Sequence, residues 1–100
     1  MNLQIEETDK KYVVTLQGEF DSPAVKDTEE MFEPLYTCGR DVVIDCSGLT
    51  YIASSGLRIL LNILAGALKK NKSVVLKGAN DDVMSIFKVT GFVDLFKFES

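Results

Sequence analysis

The sequence contains no histidine and only two cysteines, Cys38 and Cys46, among its 100 residues. Catalytic nucleophiles of the Ser-His-Asp and Cys-His types need an imidazole base, so the lack of histidine excludes both. It also excludes every metal site with a histidine ligand, and two cysteines are too few for a four-cysteine zinc site. We therefore expect no metal and no cofactor.

The sequence also lacks the marks of an exported or membrane-inserted protein. Cys46 lies in an apolar run and Cys38 near a predicted helix end, which is not the pattern of a disulfide framework. Residues 1–7 lack the basic and apolar regions of a signal peptide. The longest nearly apolar run, residues 59–68, is interrupted by Asn62 and is too short to span a bilayer. These features predict a cytoplasmic protein.

No basic stripe is present either. The net charge is -4 and the sequence pI is near 4.7. The longest basic cluster, Lys69, Lys70 and Lys72, is typical of a solvated helix end, where cations suit the helix dipole. Because phosphate neutralisation requires clustered lysine and arginine, we expect no nucleic-acid partner.

What is present is the pattern of one α/β domain over residues 1–100, with 46% hydrophobic and 26% charged residues. Apolar segments predict strands near residues 3–5, 12–17, 42–44, 74–76 and 95–98. Helices are predicted to begin with caps at Ser22, Ser54 and Asn80, and Pro34 is expected to end the first. The resulting order, β-β-α-β-α-β-α-β, predicts a mixed sheet that is mostly parallel after an opening hairpin.

The most informative segment is DCSGLTYIASSGLRILL, residues 45–61, in which a strand end and a polar turn, predicted at residues 45–48, lead into an apolar helix. Ser54 is the predicted N-cap, with its hydroxyl near free backbone amides. These amides and the helix dipole suit an anion, so a phosphate on Ser54, which adds roughly -1.5 to -2 charges, need not disrupt the fold. The alternative is that Ser54 only caps the helix and Gly56 only permits close packing.

The same helix carries two apolar stripes. The stripe predicted to face the core consists of Leu57, Leu60, Leu61, Leu64 and Leu68. Ile59 and Ile63 fall on a different face, close to Gly56. They are either covered by a neighbouring element or form an exposed patch suited to a protein partner, which leaves a homodimer open.

The sequence resembles the STAS domain family, and specifically the small stand-alone anti-sigma factor antagonists of bacteria. The resemblance covers nearly the whole chain and rests on LQGEFD (residues 16–21), VVIDCSGLTYIASSGLRILL (42–61) and VTGFVDLF (89–96), of which the middle motif is the specific one. It implies that residues 1–100 form a single STAS domain with helices packed on the sheet. It also implies a protein-binding module that regulates transcription, not an enzyme.

In that family, a serine at the start of the second helix is phosphorylated by a partner that is both anti-sigma factor and serine kinase. The unphosphorylated form binds this partner and frees the sigma factor; phosphorylation blocks binding, and a serine phosphatase restores it. The resemblance implies that Ser54 is the modified residue, with Ser55 as the alternative. The implied partner surface comprises Glu19, Asp21, Ser54, Ser55, Gly56, Ile59 and Ile63.

Three points of this interpretation have alternatives. The family usually has an acidic residue before the two hydroxyl residues, whereas this chain has Ala53, so a STAS subunit of a lipid-related ABC transporter or a stress-signalling scaffold stays open. Asp21 could simply be an acidic residue favoured before a helix N-terminus. An enzyme with Ser54 or Ser55 as nucleophile would have no histidine base to activate it.

Overall fold

The computed structural model describes residues 1–99 as five strands, three helices and two short 3-10 helices. The strands are β1 (Asn2–Glu7), β2 (Lys11–Phe20), β3 (Asp41–Ile52), β4 (Val74–Lys77) and β5 (Lys97–Glu99). The helices are α1 (Ser22–Phe32), α2 (Ser54–Lys69) and α3 (Asp81–Val89), and the 3-10 helices span Glu33–Tyr36 and Phe92–Asp94. This chain order confirms the predicted β-β-α-β-α-β-α-β arrangement.

The strands form one sheet in the order β1-β2-β3-β4-β5. β1 pairs with β2 in antiparallel fashion, and every later pair is parallel, as predicted. Because parallel strands end at the same edge of a sheet, the ends of β2 and β3 are neighbours, with Phe20 paired to Ile52. The helices that follow these two strands therefore begin side by side.

The core lies where alternate strand residues meet the helices. Val14, Ile44 and Leu76 share one face of the sheet and are fully buried, together with side chains such as Leu60 of α2 and Phe87 of α3. Cys46 is also fully buried, in agreement with its predicted place in the core. Within residues 1–99, no helix has both the length and the apolar character needed to cross a membrane.

β2 and β3 are longer than the sequence pattern predicts. The expected turn at residues 45–48 is wrong, because β3 continues to Ile52 and β2 continues to Phe20. The pairing accommodates these residues through register shifts, one of them between Thr15 and Gln17. The polar residues that suggested a turn bond to each other within β3. The Asp45 carboxylate accepts hydrogen bonds from the Ser47 amide at 2.9 Å and the Ser47 hydroxyl at 2.7 Å.

The start of α1 also differs from the prediction. Asp21, not Ser22, is the N-cap, and its carboxylate accepts a hydrogen bond of 3.1 Å from the Ala24 amide. Both side chains are suitable caps, and only the backbone geometry decides between them. The end of α1 is as predicted. The α-helix ends at Phe32 and is followed by a 3-10 helix that contains Pro34, because proline lacks the N–H that would continue the α-helix.

The buried face of α2 is rotated relative to the predicted leucine stripe. Ile59 and Ile63 are 3% and 0% exposed, whereas Leu61 and Leu68 are 39% and 61% exposed. α2 packs against α1 and the first 3-10 helix as well as against β3 and β4. Gly66 allows this approach, because a side chain there would overlap the Tyr36 carbonyl oxygen.

Candidate functional site

The candidate site is built where α1 and α2 begin, at the shared edge of β2 and β3. The Ala53 amide, just after β3, donates a hydrogen bond of 3.0 Å to the Phe20 carbonyl oxygen at the end of β2. This bond fixes the two strand-to-helix connections against each other. The parallel pairing of the strands thus brings residues near position 20 beside residues near position 54.

Ser54 is the first residue of α2 and is exposed to solvent. The predicted N-cap role is wrong, because the cap position is Ala53, whose extended backbone (φ -89°, ψ 171°) precedes the helix. A methyl group cannot accept a hydrogen bond, and α2 has no side-chain cap. The first amides of α2 therefore face the surface without the side-chain acceptor that usually satisfies them.

Ser55 has different surroundings from Ser54. It is half-buried, and its hydroxyl lies 3.1 Å from the Ser22 hydroxyl at the start of α1. This hydrogen bond links the first turns of the two helices. Of the two candidate serines, Ser54 presents the more accessible hydroxyl.

Gly56 is buried behind the two serines and has a packing role. A Cβ atom there would lie 2.7 Å from the Phe20 carbonyl oxygen and 3.0 Å from a ring carbon of Phe20. The first turn of α2 can approach the end of β2 only because this side chain is absent. The close-packing alternative considered for Gly56 therefore matches the structure.

Glu19 and Asp21 lie around the end of β2, at the same edge of the sheet as the start of α2, and they differ in their surroundings. Asp21 is half-buried and caps α1, which matches the alternative of an acidic residue at a helix start. Glu19 is exposed near the end of β2 and is paired in register with Tyr51 of β3. Glu19 is thus the more exposed of the two carboxylates.

The structure brings Glu19, Asp21, Ser54, Ser55 and Gly56 together at one edge of the sheet. Ile59 and Ile63 are buried behind this edge, so their prediction as a partner-contact patch is corrected to a role in the core. Their burial also removes the apolar patch from which a homodimer was considered. The error arises because elements from other parts of the chain pack against α2, and no local pattern shows what covers a helix face.

Three residues of the site were not predicted from the sequence. Ser22 contacts Ser55, and its place after the Asp21 cap was the only signal. Tyr51 is 47% exposed beside Glu19, and a large aromatic residue among small polar ones could have drawn attention to it. Arg58 is exposed one helical turn after Ser54, at a spacing that makes the two residues neighbours.

Comparison with known proteins adds to this geometry. A family model described as "Mlab, STAS domain" matches residues 3–97. The anti-sigma-B factor antagonist of Staphylococcus aureus (strain NCTC 8325 / PS 47) is 34% identical over 98 residues, which cover 95% of this chain and 91% of that protein.

Solved structures resemble this fold over nearly its whole length. An anti-sigma-factor antagonist (STAS) domain protein from Planctomyces limnophilus has a TM-score of 0.86 at 14% identity and covers 98% of this chain and 89% of its own. The phosphorylated form of SpoIIAA, a Bacillus cell fate determinant, has a TM-score of 0.75 at 19% identity, with 99% and 92% covered. At these identities the structural likeness supports the fold alone.

Proposed function

The chain belongs to the STAS domain family, and from that membership we propose that it is an anti-sigma factor antagonist switched by phosphorylation of Ser54. In its unphosphorylated form it binds an anti-sigma factor and so frees the sigma factor for transcription. This role is supported by the similarity to the anti-sigma-B factor antagonist of Staphylococcus aureus, which covers most of this chain and most of that protein. We place the protein in the cytoplasm, where such partners act.

The observation that carries the proposal is the exposed hydroxyl of Ser54 at the uncapped start of α2. A kinase can reach this hydroxyl without unfolding the chain. The free amides and the positive end of the helix dipole suit the charge of roughly -1.5 to -2 that a phosphate adds. The exposed guanidinium of Arg58 lies one turn away and can form a charge-assisted hydrogen bond to the phosphate.

Phosphorylation would block binding through both charge and shape. The phosphate would add negative charge to an edge of the sheet that already carries the exposed carboxylate of Glu19. A partner surface that fits the small serine and tolerates Glu19 would meet additional negative charge and volume at its centre. Like charges brought together in an interface cost several kcal/mol, enough to separate a binding from a non-binding form.

We further propose that the kinase is the anti-sigma factor itself and that a separate serine phosphatase reverses the modification. The chain acts as the substrate of this chemistry and has no catalytic role of its own. Its serines have no histidine to activate them as nucleophiles. Ser54 is favoured over Ser55 because the Ser55 hydroxyl is engaged by Ser22.

The test is to incubate the protein with ATP and the anti-sigma factor kinase of the same organism, and to locate the phosphate by mass spectrometry. Ser54→Ala and Ser55→Ala are matched variants that each remove one hydroxyl. We expect phosphate on Ser54 in the wild type and in Ser55→Ala, and none in Ser54→Ala. Modification of Ser55 in the wild type, or of Ser54→Ala at the wild-type rate, would overturn the assignment.

A further inference from the structure

A second surface feature lies at the opposite end of α2 from Ser54. A cavity of about 180 Å³ opens between the end of α2, the start of β4 and the segment that leads into β5. Its floor is formed by the buried side chains of Leu64 and Val74, and Leu68 and Leu95 line its sides. We call this cavity, with Lys72 and Lys97 at its edge, the basal groove.

The basal groove exposes apolar surface that the fold itself does not use. Leu68 and Leu95 are 61% and 53% exposed, although both line a concavity next to the core. An apolar cavity of about 150 Å³ in a protein can hold a benzene ring, so this groove has room for one large apolar side chain. Exposed apolar surface of this kind commonly marks an interaction site.

The two charged side chains that line the groove are both lysines, and neither forms a salt bridge within residues 1–99. Lys72 and Lys97 are exposed, and the one ion pair among residues 1–99 joins Arg40 to Glu7 instead. The carboxylate of Asp41 lies near enough to attract both lysines, and it also accepts hydrogen bonds from the amide (2.9 Å) and the hydroxyl (3.3 Å) of Ser73. An occupant that complements this edge is therefore apolar at its centre and acidic at its flanks.

We propose that the basal groove binds an acidic amphipathic peptide segment of a protein partner. One large apolar side chain of the segment would enter the cavity, and flanking Asp or Glu residues would meet Lys72 and Lys97. The concave shape favours a peptide over a membrane, because a bilayer has no single side chain to insert. Leu68 lies about 21 Å along α2 from Ser54 at 1.5 Å per residue, so both surfaces can be occupied at once.

The test is a selection of phage-displayed random peptides on the immobilised wild-type protein. The counter-selection uses a Lys72→Glu/Lys97→Glu variant, whose substitutions are both on exposed residues. A Lys70→Glu/Lys88→Glu variant, which changes the net charge equally outside the groove, is the matched control. Melting curves establish that both variants are folded.

We expect the enriched peptides to combine a large apolar residue with flanking acidic residues. Reversal of the two groove charges should weaken their binding by at least about tenfold, and the control variant should bind them normally. Enrichment of no groove-dependent peptide, enrichment of peptides without acidic residues, or unchanged binding to the Lys72→Glu/Lys97→Glu variant would overturn the proposal. Groove-dependent binding to phosphatidylglycerol vesicles without any such peptide would also overturn it.

This proposal is independent of the switch at Ser54. Ser54→Asp should bind the selected peptides as the wild type does, because the substitution lies at the other end of α2. A failure of peptide binding would leave the phosphorylation result unaffected, and the reverse also holds.

Discussion

At the residue scale, adjacent side chains that could serve the same purpose have different roles because their backbone positions differ. Ser54 and Ser55 both begin α2, yet only Ser55 is held by Ser22. Asp21 and Ser22 are both suitable caps of α1, yet only Asp21 reaches the Ala24 amide. These differences decide which side-chain groups remain free at the surface of the site.

The cap at Asp21 gives the first prediction. Asp21→Ala should lower the free energy of unfolding by about 1 kcal/mol, because it removes the acceptor for the Ala24 amide. Asp21→Asn keeps an acceptor oxygen and should remain within a few tenths of a kcal/mol of the wild type. Urea denaturation of the three proteins measures this. Equal loss in both variants would show that the charge, not the cap, is what stabilises α1.

The two cysteines give a second prediction. Burial raises the pKa of the Cys46 thiol to about 12, so almost no thiolate forms in the folded protein near neutral pH. Iodoacetamide should therefore modify half-buried Cys38 and leave Cys46 intact until the chain unfolds. Peptide mass mapping after reaction in native buffer and in urea checks this. Equal labelling of both residues in native buffer would contradict the burial of Cys46.

At the element scale, two glycines help to position α2, because they have no side chain and allow other parts of the backbone to approach the helix closely. Gly66 leaves room for the backbone at Tyr36, and Gly56 does so for Phe20. In an isolated helix, Gly→Ala stabilises by about 1 kcal/mol. A Gly→Ala substitution in α2 should therefore raise the stability of the protein if helix propensity dominates, and lower it if close packing dominates.

We expect Gly66→Ala to destabilise the protein by about 1–3 kcal/mol, because the new methyl group forces α2 and the first 3-10 helix apart. Ala65→Ser, an exposed substitution in the same helix turn, should change stability by less than about 0.5 kcal/mol. Thermal unfolding provides both values. A stabilised Gly66→Ala would show that the backbones are not in close contact there.

At the start of α2, in contrast, we expect a substitution to stabilise the protein. Ala53 occupies the N-cap position with extended backbone geometry and no side-chain acceptor. Ala53→Asp should raise the free energy of unfolding by about 1 kcal/mol, since aspartate is among the best N-caps. Ala53→Val, which cannot accept a hydrogen bond, is the control. No gain for aspartate over valine in urea denaturation would mean that the amides of α2 are already satisfied.

The element order was predictable because buried strands and amphipathic helices alternate clearly along this sequence. Of the three predicted caps, only Asn80 is confirmed, since its side chain accepts a hydrogen bond of 2.9 Å from the Val83 amide at the start of α3. Ser22 and Ser54 instead lie one residue inside helices whose caps are Asp21 and Ala53. The partner surface was predicted in part. Ile59 and Ile63 were misplaced because the elements that cover them are distant in the sequence, and periodicity within α2 cannot reveal them.

At the scale of the whole molecule, pH acts on stability through carboxylates at strand positions. Hydrogen bonds from Ser73 hold the pKa of Asp41 below its usual range, and hydrogen bonds from Ser47 do the same for Asp45. Each of these carboxylates binds protons more weakly in the folded state than in the unfolded state. Their contribution to stability is therefore present above the ordinary pKa of aspartate and is lost as the pH falls through the folded value.

We expect the melting temperature to fall as the pH is lowered below about 4, the ordinary pKa of aspartate. The fall should be shallower in Asp45→Asn, because asparagine cannot gain the proton that destabilises the folded state. Melting curves at a series of acidic pH values compare the two proteins. Identical pH dependence would show that the Asp45–Ser47 hydrogen bonds do not distinguish the folded from the unfolded state.

The whole molecule presents its two proposed surfaces at opposite ends of α2. The acidic edge at Ser54 follows from the parallel pairing of β2 and β3, which places two helix starts together. The basal groove lies where α2 ends and β4 begins. A small domain can thus offer a switchable contact at one end and a constant contact at the other.

Phosphate on Ser54 is proposed to control binding to an anti-sigma factor. The most direct measurement is the affinity of that partner, by isothermal titration calorimetry, for the unmodified protein and for the same protein stoichiometrically phosphorylated on Ser54. We predict that phosphorylation weakens binding by at least about 100-fold, in line with a like-charge cost of several kcal/mol. Equal affinity for the two forms would contradict the account.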